Sequence, residues 1–309
     1  MLDVLTRAGC FIAIILLGFF LKKIGLFKDS DFSVLSTIVL KITLPAVIIT
    51  NFANKELDPS MFIFSLLSIL FGGVYILMGF LLNFKRTKEQ KAFEILNFPG
   101  YNIGCFALPF VQSFLGPAGM IATFLFDIGN GFICLGGAFS IASMVKDGSK
   151  FSLKRVVRTL LKSIPFMLYL IMPILCLARI PISGVITSFS EIVGSANAFL
   201  SMLMIGVGFK LAADKTQIGS IVRVLCVRYG FAVIFALICY FLLPFSLEVR
   251  KALMLLVFSP FGAAIPAFTD EMKSDVGLSS AISSIAIICS IIFMVLILIL
   301  LLRSYCGIS

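Results

Sequence analysis

Two apolar stretches of this chain are interrupted by glycine and proline, and they read NIGCFALP at residues 102–109 and SPFGAAIP at residues 259–266. Proline removes a backbone donor and clashes with the preceding helical turn, whereas glycine tolerates unwound backbone. In lipid, irregular backbone survives only where protein buries it or where it lines a cavity. Interruptions at corresponding places in the two halves of a membrane protein therefore indicate the binding site of a transporter.

The composition is that of a polytopic membrane protein. The chain has 309 residues, of which 60% are hydrophobic and 13% are charged, whereas soluble domains carry about 25% charged residues. A helix needs roughly 20 apolar residues to cross the bilayer. This length predicts an all-α fold with ten transmembrane helices, at about residues 4–21, 32–52, 61–83, 92–115, 118–145, 157–179, 184–212, 220–243, 250–270 and 278–302.

Basic residues concentrate in alternate loops. The central loop, at about 146–156, carries Lys146, Lys150, Lys154 and Arg155. The positive-inside rule places this loop in the cytoplasm and both termini outside, and we expect a multi-pass protein of the plasma membrane. The net charge of +10 is explained by this topology and does not indicate binding to nucleic acid.

The central loop divides the ten predicted spans into two sets of five. Because five is odd, the second set must enter the membrane in the opposite sense, which predicts an inverted repeat. The first repeat covers residues 1–148, a cytoplasmic linker covers 149–156, and the second repeat covers 157–309. The interruptions fall in the fourth span of each set, roughly 15 Å deep by helical rise, so the two helices are predicted to cross near the bilayer midplane.

Candidate substrate-binding residues cluster at these two interruptions. Gly104 and Pro109 break the first helix, and Asn102 brings an amide that both donates and accepts hydrogen bonds. A helix that restarts after a break presents free N–H groups and a positive dipole end, which suit a carboxylate. The alternative is a kinked helix without a ligand, since proline and glycine are frequent in membrane helices. The second interruption contributes one hydroxyl and mainly backbone groups, from Ser259, Pro260, Gly262 and Pro266.

Four ionisable residues inside predicted spans are further candidates, because buried charges in a membrane are costly and usually functional or paired. Lys41 and Asp127 fall at similar depth. Either they form a salt bridge, or Lys41 neutralises an anionic substrate and Asp127 takes up a coupling proton. Glu191 and Arg228 lie nearer to opposite surfaces, where snorkelling explains them. Asn130, among the glycines of the fifth span, is predicted to serve close helix packing.

No catalytic motif, phosphate-binding loop or metal-ligand cluster is present in the sequence. The chain has no histidine, and its eight cysteines are scattered without paired spacing, which indicates neither a disulfide framework nor a zinc site. We therefore expect no metal, no cofactor and no enzymatic activity. An intramembrane enzyme or a receptor is the alternative of a different class, and an enzyme would need convergent nucleophiles, acids or metal ligands.

The interrupted stretches resemble those of the auxin efflux carrier family, which includes plant auxin carriers and bacterial malate or malonate permeases. Residues 102–109 resemble the fourth-span pattern Asn-x-Gly-x-x-Gly-Leu-Pro of that family, with alanine in place of its second glycine. Residues 44–46 resemble its second-span Leu-Pro-Ala. Residues 259–262, followed by 267–271, are similar to its ninth-span Pro-x-Gly and acidic turn. The resemblance covers essentially the whole chain.

This resemblance implies an elevator-type carrier related to sodium/bile-acid symporters. It implies a scaffold domain of spans 1, 2, 6 and 7, through which homodimers form, and a transport domain of spans 3–5 and 8–10. It also implies that an organic anion binds at the crossed helices, with Asn102 on its carboxylate. Because the central loop is short, a small carboxylate such as malate is the default substrate rather than auxin. The alternative is a sodium- or proton-coupled carrier of the same fold with a different substrate.

Overall fold

The computed structural model describes residues 2–210 and 215–306, and this part of the chain forms sixteen α-helices. Their bounds are α1 Leu2–Lys23, α2 Asp31–Ile38, α3 Leu44–Phe52, α4 Ile63–Leu81, α5 Lys88–Asn97, α6 Leu108–Phe114, α7 Pro117–Phe132, α8 Ala138–Asp147, α9 Leu153–Lys162, α10 Ile164–Leu177, α11 Gly184–Ser195, α12 Asn197–Gly208, α13 Ile218–Leu237, α14 Leu247–Leu256, α15 Ile265–Glu271 and α16 Val276–Cys306. Short π-helical turns join several of them, including Val39–Thr43, Ile103–Ala107 and Ile133–Gly137.

Seven helical segments of the described chain are long and apolar enough to cross a membrane. They are Leu5–Lys23, Asp31–Phe52, Pro59–Leu81, Pro117–Asp147, Gly184–Gly208, Ile218–Leu242 and Val276–Leu300. Each coincides with one of the ten predicted spans, although residues 211–212 of the predicted seventh span lie outside the described residues. The protein is therefore an all-helical, multi-pass membrane protein, and the full count of ten stays a prediction.

The predicted sixth span is bent, which corrects the expectation of one continuous helix over residues 157–179. α9 and α10 meet at an angle of 83° on either side of Ser163. The Ser163 hydroxyl accepts the N–H of Phe166 over 3.4 Å and caps the start of α10. Pro165 follows in the first turn of α10, where proline favours a helix start. The end of the predicted linker, from Leu153 onward, belongs to α9.

The fourth and ninth segments are interrupted, as predicted. The first break covers residues 98–102, between α5 and the turn Ile103–Ala107 that leads into α6, and the second break covers residues 257–264, between α14 and α15. Each break is preceded by a helix of ten residues and followed by a helix of seven residues with proline in its first turn. This equal construction agrees with the predicted inverted repeat, which stays a prediction.

Helix packing falls into two groups. The helices of predicted spans 1, 2, 6 and 7 contact one another, through the pairs α1 with α12, α3 with α11 and α3 with α10. Those of spans 3, 4, 5 and 9 do so as well, through α4 with α7, α5 with α8 and α7 with α14. The grouping agrees with the scaffold and transport domains that the resemblance implies. Glycine permits the closest approaches: a Cβ on Gly129 of α7 would lie 2.0 Å from the carbonyl oxygen of Ser65.

Candidate functional site

The two breaks are in direct contact. The N–H of Asn102 in the first break donates to the carbonyl of Pro260 in the second break over 2.9 Å. The unwound backbones of the fourth and ninth segments are therefore hydrogen-bonded to each other. Irregular backbone at membrane depth is tolerated where protein satisfies its polar groups. Here a donor in the first break and an acceptor in the second break satisfy each other.

A buried arginine binds one backbone carbonyl in each break. Arg228 of α13 is 0% exposed, and it donates to the carbonyl of Phe98 over 3.2 Å and to the carbonyl of Ser259 over 3.0 Å. Its guanidinium also lies 4.1 Å from the ring centroid of Tyr101. Phe98 directly follows α5 and Ser259 lies three residues beyond α14, so both carbonyls are near the negative end of a helix dipole. The expectation that Arg228 snorkels to the surface is wrong, because these carbonyls replace water around the cation.

Asn130 replaces the missing backbone partners of the first break. Its Oδ1 accepts the N–H of Tyr101, and its Nδ2 donates to the carbonyl of Tyr101, both over 2.8 Å. The same Nδ2 lies 2.7 Å from Oδ1 of Asp127. The interpretation of Asn130 as a packing residue is therefore wrong, since its amide pairs with unwound backbone that a continuous helix would have satisfied internally.

Two glycines of the breaks close around the side chain of Cys134. Gly100 has a φ of +85°, and a Cβ at that position would lie 2.4 Å from Sγ of Cys134. A Cβ on Gly262 would lie 2.9 Å from the same sulfur. The fifth segment thus approaches both breaks so closely at Cys134 that neither of these two positions has room for a side chain.

A cavity of about 390 Å³ lies beside the two breaks. It brings together five of the predicted site residues, which are Lys41, Asn102, Gly104, Asp127 and Gly262. Its volume is within the range of small-molecule binding sites, about 300–1,000 Å³. The residues come from distant parts of the sequence, and the meeting of the two breaks is what places them around one space.

The other four predicted site residues do not line this cavity, and their part in substrate binding stays a prediction. Pro109 and Pro266 lie in the first turns of α6 and α15. Pro260 accepts the hydrogen bond from Asn102, and Ser259 is fully buried, with its carbonyl bound to Arg228. These residues shape the breaks instead of facing the cavity, because proline and backbone carbonyls fix where each helix stops and restarts.

Lys41 and Asp127 line the same cavity without pairing. Asp127 accepts the hydrogen bond from Asn130, and no ion pair found within the described residues includes Lys41 or Asp127. The salt-bridge alternative is therefore not observed. Separate roles for the lysine and the carboxylate stay predictions.

Two further residues of the cavity were not among the predicted site residues. Lys162, at the end of α9, is exposed to the cavity and has no ion-pair partner among the described residues. Lys162 lies inside the predicted sixth span, so its position in an apolar run could have marked it as a candidate site residue. The hydroxyl of Tyr169 on α10 is buried beside the side chain of Asp127, about 3.6 Å from where a Cβ on Gly104 would lie. No sequence pattern distinguished this tyrosine.

A family model described as membrane transport protein matches residues 10–302 of the chain. No curated protein matches the chain. The match spans every helix that forms the two breaks and the cavity between them, so the site lies wholly within the family region. This chain belongs to the membrane transport protein family of the auxin efflux carriers, as the residues at its breaks predicted.

Proposed function

We propose that the protein is a secondary active transporter of small organic anions, with a carboxylate such as malate as the default substrate. One observation carries this proposal: an amide, the start of a helix and two lysines without ion-pair partners among the described residues surround one cavity at two hydrogen-bonded breaks. These residues are Asn102, the turn beginning at Ile103, Lys41 and Lys162. The cavity is large enough for a small acid.

The charges of the cavity favour an anion. Two lysines and one carboxylate, that of Asp127, line it. Since charges attract more strongly in a low-dielectric interior than in water, even a modest excess of positive charge selects for a negatively charged ligand. The amide of Asn102 and the free N–H groups in the first turn of the following helix suit a carboxylate oxygen. The hydroxyl of Tyr169 lines the same region beside Asp127.

The proposed mechanism is alternating access by an elevator movement. The scaffold would be spans 1, 2, 6 and 7, and the moving domain spans 3–5 and 8–10. Lys41 and Tyr169 come from the scaffold group, whereas Asn102 and Asp127 come from the other group. The cavity therefore lies at the boundary between the two groups, where a relative movement would open it to one side and then the other. A homodimer through the scaffold, in the plasma membrane and with both termini outside, completes the proposal.

Replacing Asn102 with alanine is expected to abolish transport of labelled malate into proteoliposomes. The substitution removes the one side-chain amide that a break presents to the cavity, while the Asn102 N–H that binds Pro260 is retained. Asn51→Ala is the matched control, because Asn51 lies on α3 and its amide binds the carbonyl of Val47 in its own helix. Malate transport by Asn102→Ala at the rate of the control would contradict the proposed site.

A proton-coupled carrier of the same fold is favoured by one observation, the presence of Asp127 in the cavity without a cation partner among the described residues. An unpaired carboxylate beside the substrate can bind a proton on one side of the membrane and release it on the other. Coupling to sodium is the competing arrangement. Replacing sodium with potassium at fixed pH separates the two, since only sodium coupling would lose transport.

Under proton coupling, Asp127→Asn is expected to remove the pH dependence of transport. Asparagine keeps the size of the side chain and accepts from Asn130 as the carboxylate does, but it has no proton to exchange. Rates would be measured in proteoliposomes across the pH range, with Asp147→Asn, at the exposed end of α8, as the control. A pH profile of Asp127→Asn identical to that of the control would show that Asp127 carries no coupling proton.

A further inference from the structure

α9 has an exposed apolar stripe directly beside a basic stripe. Leu153, Val157 and Leu161 recur every four residues, and they are 61%, 40% and 58% exposed. The next position in each case is basic, which gives Lys154, Arg158 and Lys162. Residues four apart lie on one face of a helix. Large apolar side chains and cations therefore run along α9 as two neighbouring stripes that the rest of the described chain leaves uncovered.

The opposite face of α9 packs against the fifth and ninth segments. Val156 and Leu160 are buried, and Val156 packs beside Gly136, where a Cβ would lie 3.4 Å from the Val156 side chain. The guanidinium of Arg155 pairs with Glu271 at the end of α15 and lies 4.3 Å from the ring centroid of Phe139. α9 is thus attached to the fifth and ninth segments and cannot rotate its two exposed stripes inward.

The bend of 83° between α9 and α10 sets the direction of α9. α10 is the apolar part of the sixth span, so a helix nearly perpendicular to it lies along the membrane surface. An amphipathic helix in this position buries its apolar stripe at the boundary between headgroups and acyl chains, and its basic stripe meets the headgroups. The loop charges predict that this surface is the cytoplasmic one, whose anionic lipids attract basic segments.

We infer that α9 is a binding surface for the headgroups of anionic phospholipids. The apolar stripe enters the bilayer, and Lys154 and Arg158 contact the phosphates. Charge complementarity favours an anionic headgroup as the ligand. Neither cation has an ion-pair partner among the described residues, and α9 has no acidic residue. Of the basic stripe, only Lys162 also lines the substrate cavity, so Lys154 and Arg158 are the cations assigned to the headgroups.

The depth of the apolar stripe can be measured with a single tryptophan, because the chain has none of its own. The full chain with Val157→Trp would be reconstituted into vesicles of phosphatidylcholine and phosphatidylglycerol, and its emission measured with brominated lipids and with aqueous iodide. We expect strong quenching by brominated lipid and weak quenching by iodide. Ile192→Trp, at a 75% exposed position near the middle of the membrane span Gly184–Gly208, calibrates contact with lipid. Quenching by iodide alone, or by neither agent because a second copy of the chain covers α9, would overturn the inference.

The headgroup preference is tested on detergent-purified protein by the amount of phosphatidylglycerol retained in competition with phosphatidylcholine. The double variant Lys154→Gln with Arg158→Gln is expected to lose the preference by roughly tenfold or more, since each cation near a membrane surface contributes measurably to anionic lipid binding. Lys85→Gln with Lys88→Gln removes the same charge from another basic loop and should keep the preference. Equal losses in both double variants, or displacement of the lipid by inorganic phosphate at equal concentration, would refute a headgroup site on α9.

Discussion

Replacing Arg228 with methionine is expected to lower the free energy of unfolding by about 2–5 kcal/mol, because two buried carbonyls lose their donor and each costs about 1–3 kcal/mol when left unsatisfied. Those carbonyls belong to Phe98 and Ser259. Methionine fills most of the volume of arginine and relieves the burial of a charge, so alanine should cost more. Transport should be lost even where the variant is folded, since the two breaks that Arg228 joins line the cavity.

The measurement is the apparent melting temperature of purified protein in detergent, for which we expect a decrease of roughly 5 °C or more. Arg7→Met is the matched control, because Arg7 is exposed and its hydrogen bond to the carbonyl of Ser113 is long, at 3.5 Å. Arg228→Lys should fall between wild type and Arg228→Met, since lysine keeps the charge but not the planar fork that reaches two carbonyls. A melting temperature of Arg228→Met equal to that of the control would show that the breaks hold without the cation.

The breaks themselves could be predicted from the sequence because their signal is local. Glycine and proline within a few residues of each other disfavour a continuous helix, and the clusters at 99–109 and 259–266 mark where the two segments are interrupted. The position of Asn102 beside the cavity follows from the same cluster. Seven spans could also be predicted, since each is a predominantly apolar run of sufficient length.

The partners of the breaks could not be predicted, because they depend on contacts between distant segments. Arg228 and Phe98 are separated by 130 positions, and Asn130 and Tyr101 by 29. An arginine in an apolar run has the same sequence appearance whether it reaches the surface or binds buried carbonyls. The bend at Ser163 was not predicted for another reason. Apolar residues occur on both sides of it, and only Ser163 with Pro165 marks a helix start there.

Replacing Gly100 with alanine is expected to destabilise the protein by about 2–5 kcal/mol through two separable effects. A left-handed backbone costs an ordinary residue roughly 1–2 kcal/mol, and the φ of Gly100 is +85°. The new Cβ would also lie 2.4 Å from Sγ of Cys134, and overpacking of this kind costs about 1–3 kcal/mol. Thermal unfolding of the purified variant measures the sum.

Three further variants separate the two effects. Gly148→Ala carries only the backbone cost, because Gly148 has a φ of +69° and nothing lies within 4 Å of its Cβ position. Gly262→Ala carries only the contact with Cys134. Adding Cys134→Ala should therefore rescue much of the loss in Gly100→Ala and in Gly262→Ala but none of it in Gly148→Ala, which is a coupling that a double-mutant cycle detects directly. Losses that simply add in all three pairs would mean that the sulfur does not limit the approach of the fifth segment to the breaks, and the close contact that shapes this side of the cavity would have to be reassigned.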